Sequence, residues 1–394
     1  MIAERLYAPE EIAGPVAVVL DGAVIHAIWR GTDAANAQRR LAREFPGMTA
    51  DITDLGTLRL APGYVDMHTH GFRGHDITTG SAEDIAAMAA ELPGTGVTAF
   101  FPTIATTGRA ETIQQVRRIV EVIEHQSERC GAQVLGIRLE GPFISRAKKG
   151  AQYEPGIRPP DPAEMETLAQ AGQGWVRIVD YAPEEDTDQQ FLRTLKRLGI
   201  LPCIGHTAAT YEQAIAAIDG GARHSTHLFN AMSPFDHRAP GVPGALLTDP
   251  RVTVEVIADG IHLSPAALRL AVAARGIEHV ALITDAVVAA GMPDGEYQFI
   301  NRTVRVAEGA VRLTNGTLAG SALTIERGVQ QLVALAGLGW PDAIHMATLT
   351  PARITGMADR KGAIRPGVDA DLVALDENGA VQRTWVRGHT TFER

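Results

Sequence analysis

A chain of 394 residues, with 45% apolar and 21% charged side chains, is long enough for a (β/α)8 barrel plus a small appendage, or for two ordinary domains. Its net charge of −10, with Lys and Arg scattered rather than striped, argues against nucleic acid as a partner. No apolar run reaches bilayer length, Met1-Ile2-Ala3-Glu4-Arg5 lacks the apolar core of a signal peptide, and Cys130 and Cys203 form no disulfide framework, so a cytoplasmic protein without membrane partners is expected.

Residues 1 to about 58 read as short strands and turns. Val16 to Leu20, the turn Asp21-Gly22, and Val24 to Ile28 predict a hairpin. The C-terminus has the same texture in Asp371 to Leu375 and Val381 to Gly388. Residues 1–58 and 361–394 are therefore expected to pair into one small β-domain around a barrel of residues 59–360. Separate packing of the two ends on the barrel is the alternative.

Between them, strand and helix patterns alternate. Strands are predicted at 63–68, 97–102, 133–139, 176–181, 200–205, 224–228, 252–258 and 280–284, with helical spacing in segments such as 83–92, 111–127, 189–198 and 265–274. Eight strands separated mostly by helices is the count of a (β/α)8 barrel. An open doubly wound sheet should show a Gly-rich phosphate turn early, and none is present.

Polar residues cluster after the C-terminal ends of these strands, the end that carries chemistry in barrel enzymes. In 200–228, two strands flank the helical pattern Tyr211 to Ile218, which Gly220-Gly221 stops. Parallel pairing would bring His206 and His227 out at one edge of the sheet. His68 and His70 sit two apart after the first strand, on one face of an extended segment and able to hold one ion. Asp66 would turn inward below them. Glu140 ends an apolar strand, where a carboxylate is costly to bury unless paired or metal-bound. It can join His206 and His227 on one ion, or bridge to a second on His68 and His70. Pairing with Arg138, Lys148 or Lys149 is the plainer reading. Hydrolysis at such an ion needs a neighbouring base, which Asp285 can supply; as a plain residue it would cap a helix. Arg238 offers a planar donor fork to phosphate or carboxylate, or is a solvated loop charge. His262 can donate to a substrate oxygen or cap a helix. His75, His125, His224, His237, His279, His345 and His389 are left as structural or surface residues, and both cysteines as core thiols.

With these residues placed, the chain resembles the N-acetylglucosamine-6-phosphate deacetylases of the amidohydrolase superfamily. The likeness runs through 62–71 (PGYVDMHTHG), 139–143 (LEGPF) with Lys148-Lys149-Gly150, 205–207 (GHT) and 226–232 (THLFNAM). It continues in 258–262 (ADGIH), 282–286 (LITDA) and 318–321 (LAGS); 346–353 and 362–367 are shared more widely in the superfamily. The resemblance implies a distorted barrel, a β-sandwich from both termini, and a homodimer. It implies a divalent ion, usually zinc and sometimes iron, on Glu140, His206 and His227, with a second on His68 and His70 in some members. It makes Asp285 general base and then acid, acting on a small sugar phosphate. Asn230, Ala231, Arg238 and His262 would hold that substrate, Arg238 from the partner subunit, while Leu318, Ala319 and Gly320 line the site.

One position departs. After Lys148-Lys149-Gly150-Ala151 the family usually has a histidine that polarises the acetyl carbonyl, and this chain has Gln152. An amide can donate a hydrogen bond but carries no charge, which bears on the acyl group or the sugar more than on the chemistry. The competing readings are a deacetylase of N-acetylgalactosamine 6-phosphate or another N-acyl hexosamine phosphate, a cyclic-amide hydrolase, and a non-catalytic sugar-phosphate-binding protein. Cyclic-amide hydrolases commonly have a carboxylated lysine where Glu140 stands. The whole reading requires the carboxyl of Glu140 to lie within a few ångströms of the His206 and His227 imidazoles.

Overall fold

The structure, a computed structural model, describes residues 1–8, 10–47, 50–127 and 131–394. Eight strands follow one another in space as they do in sequence: β1 (Tyr64–Thr69), β2 (Val97–Ala105), β3 (Ile137–Glu140), β4 (Val176–Tyr181), β5 (Leu201–Ile204), β6 (His224–Ser225), β7 (Thr253–Ile257) and β8 (Val280–Ile283). All neighbours are parallel. The ring closes between β8 and β1, where Asp285 N donates to His68 O at 2.9 Å and Thr69 bridges Ala286. The result is a distorted (β/α)8 barrel.

The expected strands are all present, and two are broken or cut short by more than a residue at an end. The third is interrupted: Gln133–Val134 pairs with β2, and β3 begins only at Ile137. The sixth stops at Ser225, because the following backbone turns towards β7 and Leu228 N donates to Glu255 O at 2.9 Å. Several helices start at polar caps that satisfy free N–H groups. Ser81 with Asp84 and Thr210 with Gln213 form capping boxes at Ala82–Glu91 and Tyr211–Gly220. Gly221, at φ 119°, ends the latter. The main core lies between strands and helices and includes Phe100, Val179, Leu195, Ile218 and Leu282.

Both chain ends build one seven-stranded sheet in the order His389–Glu393, Val381–Val386, Leu372–Leu375, Arg59–Pro62, Ile2–Ala8, Glu10–Asp21, Val24–Arg30. The predicted hairpin is there, with Asp21 opposite Val24. Alternation along Glu10–Asp21 sends Val16 and Val18 to one buried face and Ala17 to the other, as a strand with two covered faces requires. This is the small β-sandwich unit. Its second face is covered by a helix, Ala34–Glu44, where only strands and turns were expected. Asp33 caps it, accepting from Asn36 N at 2.7 Å, and Ala37 and Leu41 pack with Trp29. The spacing Ala34, Ala37, Leu41, Phe45 was the available signal, diluted by Arg39, Arg40, Arg43 and Glu44.

A second unexpected element follows β8. Gly295–Phe299, Arg302–Ala307 and Ala310–Leu313 form an antiparallel three-stranded sheet. Its apolar side packs Phe299, Ile300, Val304 and Val311 onto Val287 and Ala105, over the C-terminal rim of the barrel. No helix of the described residues is long and apolar enough to cross a membrane.

Candidate metal centre and active site

Glu140 is the last residue of β3, and His206 and His227 lie just past β5 and β6, so all three reach the same rim. Glu140 Oε1 is 3.1 Å from His206 Nε2 and 2.9 Å from His227 Nε2, and the two imidazole nitrogens are 3.2 Å apart. Ligands on a tetrahedral zinc, at bond lengths of about 2.0–2.1 Å, stand roughly 3.3 Å from one another. A second group shares Glu140. His68 Nε2 and His70 Nε2 are 3.3 Å apart, and Asp285 Oδ1 is 3.4 and 3.3 Å from them. His70 Nε2 is 3.0 Å from Glu140 Oε2. Each group keeps its ligand atoms within 4.8 Å of one another, with Glu140 common to both.

The chemistry of the donors fits a cation. His70 Nδ1 lies 3.0 Å from Thr103 O and His206 Nδ1 lies 2.8 Å from Lys148 O, so each ring gives its Nδ1 proton to a carbonyl and turns its Nε2 inward, where it carries either a proton or a metal ion. Facing lone pairs repel unless a proton or a metal ion lies between them. Burial by itself, and Arg138 with it, lowers the His68 pKa, but Glu140 and Asp285 raise it to about 10. His70, also buried, is raised to about 9 by Asp285 and Glu140. Conversely, burial would raise the Glu140 carboxyl, yet the His68 charge and hydrogen bonds from His206 and His227 hold it well below the usual range. The centre attracts positive charge strongly.

The centre opens into a cavity of about 380 Å³. Among the sequence-predicted residues, Ala151, Gln152, Asn230, Ala231, His262, Leu318 and Gly320 line it together with His70, Glu140, His206, His227 and Asp285. His68 lies deeper and is fully buried. Ala319 sits behind the wall in the apolar cluster of the added sheet. Arg238 is exposed on the loop after His227 and does not line its own chain's cavity. Gln152 is held from both sides: Oε1 accepts from Thr106 N at 2.7 Å, and Nε2 donates to Glu140 Oε2 at 2.5 Å. His262 Nδ1 donates to Asp259 Oδ2 at 2.6 Å, leaving its far nitrogen for the cavity. Three functional positions hold a strained backbone, with positive φ at His206 (45°), Ala231 (50°) and Asp285 (49°).

Sequence reasoning missed two parts. Phe299, Ile300 and Arg312 of the added sheet, with Thr317 just after it, complete the cavity wall. Beneath the rim, Arg138, Asp180, Glu255 and His224 form a fully buried polar cluster. Arg138 shares a strand face with Glu140 but does not pair with it; Nη2 meets Asp180 Oδ1 at 3.0 Å, and Nη1 meets Glu255. The signal was a carboxylate inside the apolar run Val252 to Ala258. Asp66 turns inward as expected and accepts from Thr284 Oγ1 at 2.6 Å. Cys203 is a buried free thiol, whereas Cys130 lies outside the described residues.

Histidines and carboxylates gathered at the C-terminal rim of a parallel barrel define a metal-dependent hydrolase centre. The chain belongs to the amidohydrolase family, whose pattern matches residues 59–391, and groups with its N-acetylglucosamine-6-phosphate deacetylases. It is 39% identical to the N-acetylglucosamine-6-phosphate deacetylase of Bacillus subtilis, over 84% of each chain. It is 38% identical to the N-acetylgalactosamine-6-phosphate deacetylase of Escherichia coli O157:H7, over 86% of this chain and 89% of that one. A solved structure from Mycobacterium smegmatis, an N-acetyl-D-glucosamine-6-phosphate deacetylase variant in complex with N-acetyl-D-glucosamine-6-phosphate, superposes with a TM-score of 0.89. It is 34% identical and covers 99% of this chain and 98% of its own.

Proposed function

We propose that the protein hydrolyses the amide of N-acetyl-D-glucosamine 6-phosphate, giving D-glucosamine 6-phosphate and acetate. The observation that carries this is the shared placement of Glu140, His206 and His227 with Asp285 at one wall of the cavity. A divalent ion, zinc in the first instance, held by Glu140, His206 and His227 would polarise the amide carbonyl and acidify water, with a second place on His68 and His70. Asp285 is the base. Burial alone would raise its pKa, but His68 and His70 hold it below the ordinary carboxylate range, so it is ionised at neutral pH and ready to accept a proton. It takes that proton from the attacking water and passes it to the departing amine as the C–N bond breaks. Gln152 directs its amide N–H towards Glu140, where it stands beside the reacting carbonyl in place of the family's histidine. Asn230, Ala231 and His262 line the sugar side, with Leu318 and Gly320 opposite.

Because Arg238 is exposed on its own chain, it is suited to reach the phosphate of a substrate bound by a partner subunit in a homodimer. A phosphorylated sugar is retained inside cells, which favours a cytoplasmic enzyme. The experiment is metal analysis coupled to acetate release from a panel of N-acetylhexosamine 6-phosphates. Chelator-sensitive release, fastest with the glucosamine compound, is the expected result; release at background rate from every member of the panel would sink the reading. The second reading is N-acetylgalactosamine 6-phosphate, favoured by the relative with that activity at nearly equal identity, 38% against 39%. The same panel decides between the two epimers.

A further inference from the structure

We propose that Glu255, on β7 beneath the rim, is the positioning residue that makes His68 a metal ligand. The inference rests on the two-ion form of the reading above. Glu255 is fully buried, and all five of its partners are donors. Oε2 faces His68 Nδ1 at 3.1 Å, Thr226 Oγ1 at 3.2 Å and His227 N at 3.3 Å. Oε1 faces His224 Nε2 at 2.9 Å and Arg138 Nη1. One carboxylate oxygen therefore touches the imidazole of one ion position and the backbone of a ligand of the other.

The consequence for His68 is its tautomer. Nδ1 lies 3.1 Å from a carboxylate oxygen and 3.2 Å from the Thr226 hydroxyl, whose own proton goes to that carboxylate. The Nδ1 proton is therefore fixed in place. Once a metal displaces the other proton, Nε2 offers its lone pair towards His70, Glu140 and Asp285. This is the carboxylate–histidine–metal arrangement in which an outer carboxylate orients the ligand and strengthens its basicity. Glutamine in place of Glu255 has the same shape but brings two N–H groups into a ring of donors. Arg138 keeps the amide oxygen on its own side, so the NH2 group turns to His68. His68 Nδ1 must then accept, its proton moves to Nε2, and that ligand is blocked.

The test titrates zinc into metal-stripped wild-type and Glu255→Gln protein and counts ions per chain. Wild type is expected to bind two, and the variant to keep the ion on Glu140, His206 and His227 while the other weakens by at least about tenfold, the lower end for loss of an outer-shell partner. A merely structural role would lower the melting temperature and leave stoichiometry and affinity alone; that outcome overturns the proposal. If the variant does not fold, 15N long-range spectra of the zinc-loaded wild type decide. A proton on His68 Nδ1 supports the assignment, and a bare Nδ1 overturns it. Neither readout uses a sugar substrate, so a failed deacetylation assay leaves this result separately legible.

Discussion

Asp285 and His70 face each other across 3.3 Å, carboxylate oxygen to imidazole Nε2, at the junction of the polar centre and the open cavity. A base in that position needs its charge, not only its shape. Asp285→Asn keeps the shape and removes the charge. Turnover should fall by about 10²–10⁴-fold, the range attached to one general acid–base group. The ion on Glu140, His206 and His227 should remain. Acetate release and metal content measured on the same preparation check this, and near-normal turnover removes Asp285 from the chemistry.

Protons and metal compete for His68 and His70. In the metal-free protein their pKa values stand at about 10 and about 9, so both are charged at neutral pH. An ion taking both Nε2 atoms must displace those protons, so binding near neutral pH should release about two of them per ion. The sign follows: apparent affinity at this position rises as pH rises, and levels off only above about 9–10. Zinc calorimetry in two buffers of different ionisation enthalpy counts the protons. Release of none would mean that neither imidazole is charged before the metal arrives.

Gln152 spends both ends of its amide on Thr106 and Glu140, and carries no charge with which to meet a developing oxyanion. Gln152→His restores a group that can become a cation. Turnover of N-acetylglucosamine 6-phosphate should rise, by at most the roughly 10²-fold attached to one oxyanion donor. The initial rates of variant and wild type compare this directly. Equal rates would show that the position is neutral, and a gain confined to the galactosamine epimer would reassign the sugar.

The site was legible where chemistry and local pattern coincide. Glu140, His206, His227 and Asp285 each follow a short apolar run, and a strand end in a parallel barrel is a predictable place. Gln152 was visible only by contrast with a family pattern. Glu255 and Asp180 were not read, because nothing local distinguishes a carboxylate that meets a distant arginine from one at a strand edge. The partners of Glu255 lie far apart in sequence, at Arg138, His68, His224 and Thr226. The sheet of 295–313 escaped for a related reason. Its strands pair with one another and not with the barrel strands, and Phe299 and Ile300 show their function only once the sheet folds over the rim. The helix 34–44 has an apolar stripe, but its charged face outweighed that stripe in a short segment.

Arg138 is the only cation among the described residues that pairs with both Asp180 and Glu255, with all three side chains fully buried. Arg138→Met keeps much of the volume and takes from Asp180 and Glu255 the guanidinium that both carboxylates meet. Removing one partner of a buried ion pair costs about 3–5 kcal/mol, so the variant should melt well below wild type. The pH dependence has a definite sign. Burial would raise the Glu255 carboxyl, but Arg138, His224 and His68 hold it well below the ordinary range. Its contribution to stability is therefore present above the unfolded carboxyl pKa and lost only as pH falls through its depressed folded value. Without Arg138 that folded value rises, and protonation relieves the uncompensated charge. The stability gap between variant and wild type should be widest near neutral pH and should narrow as the solution is acidified. Thermal melts of both proteins across that range measure the gap, and one that stays constant would assign the loss to packing rather than charge.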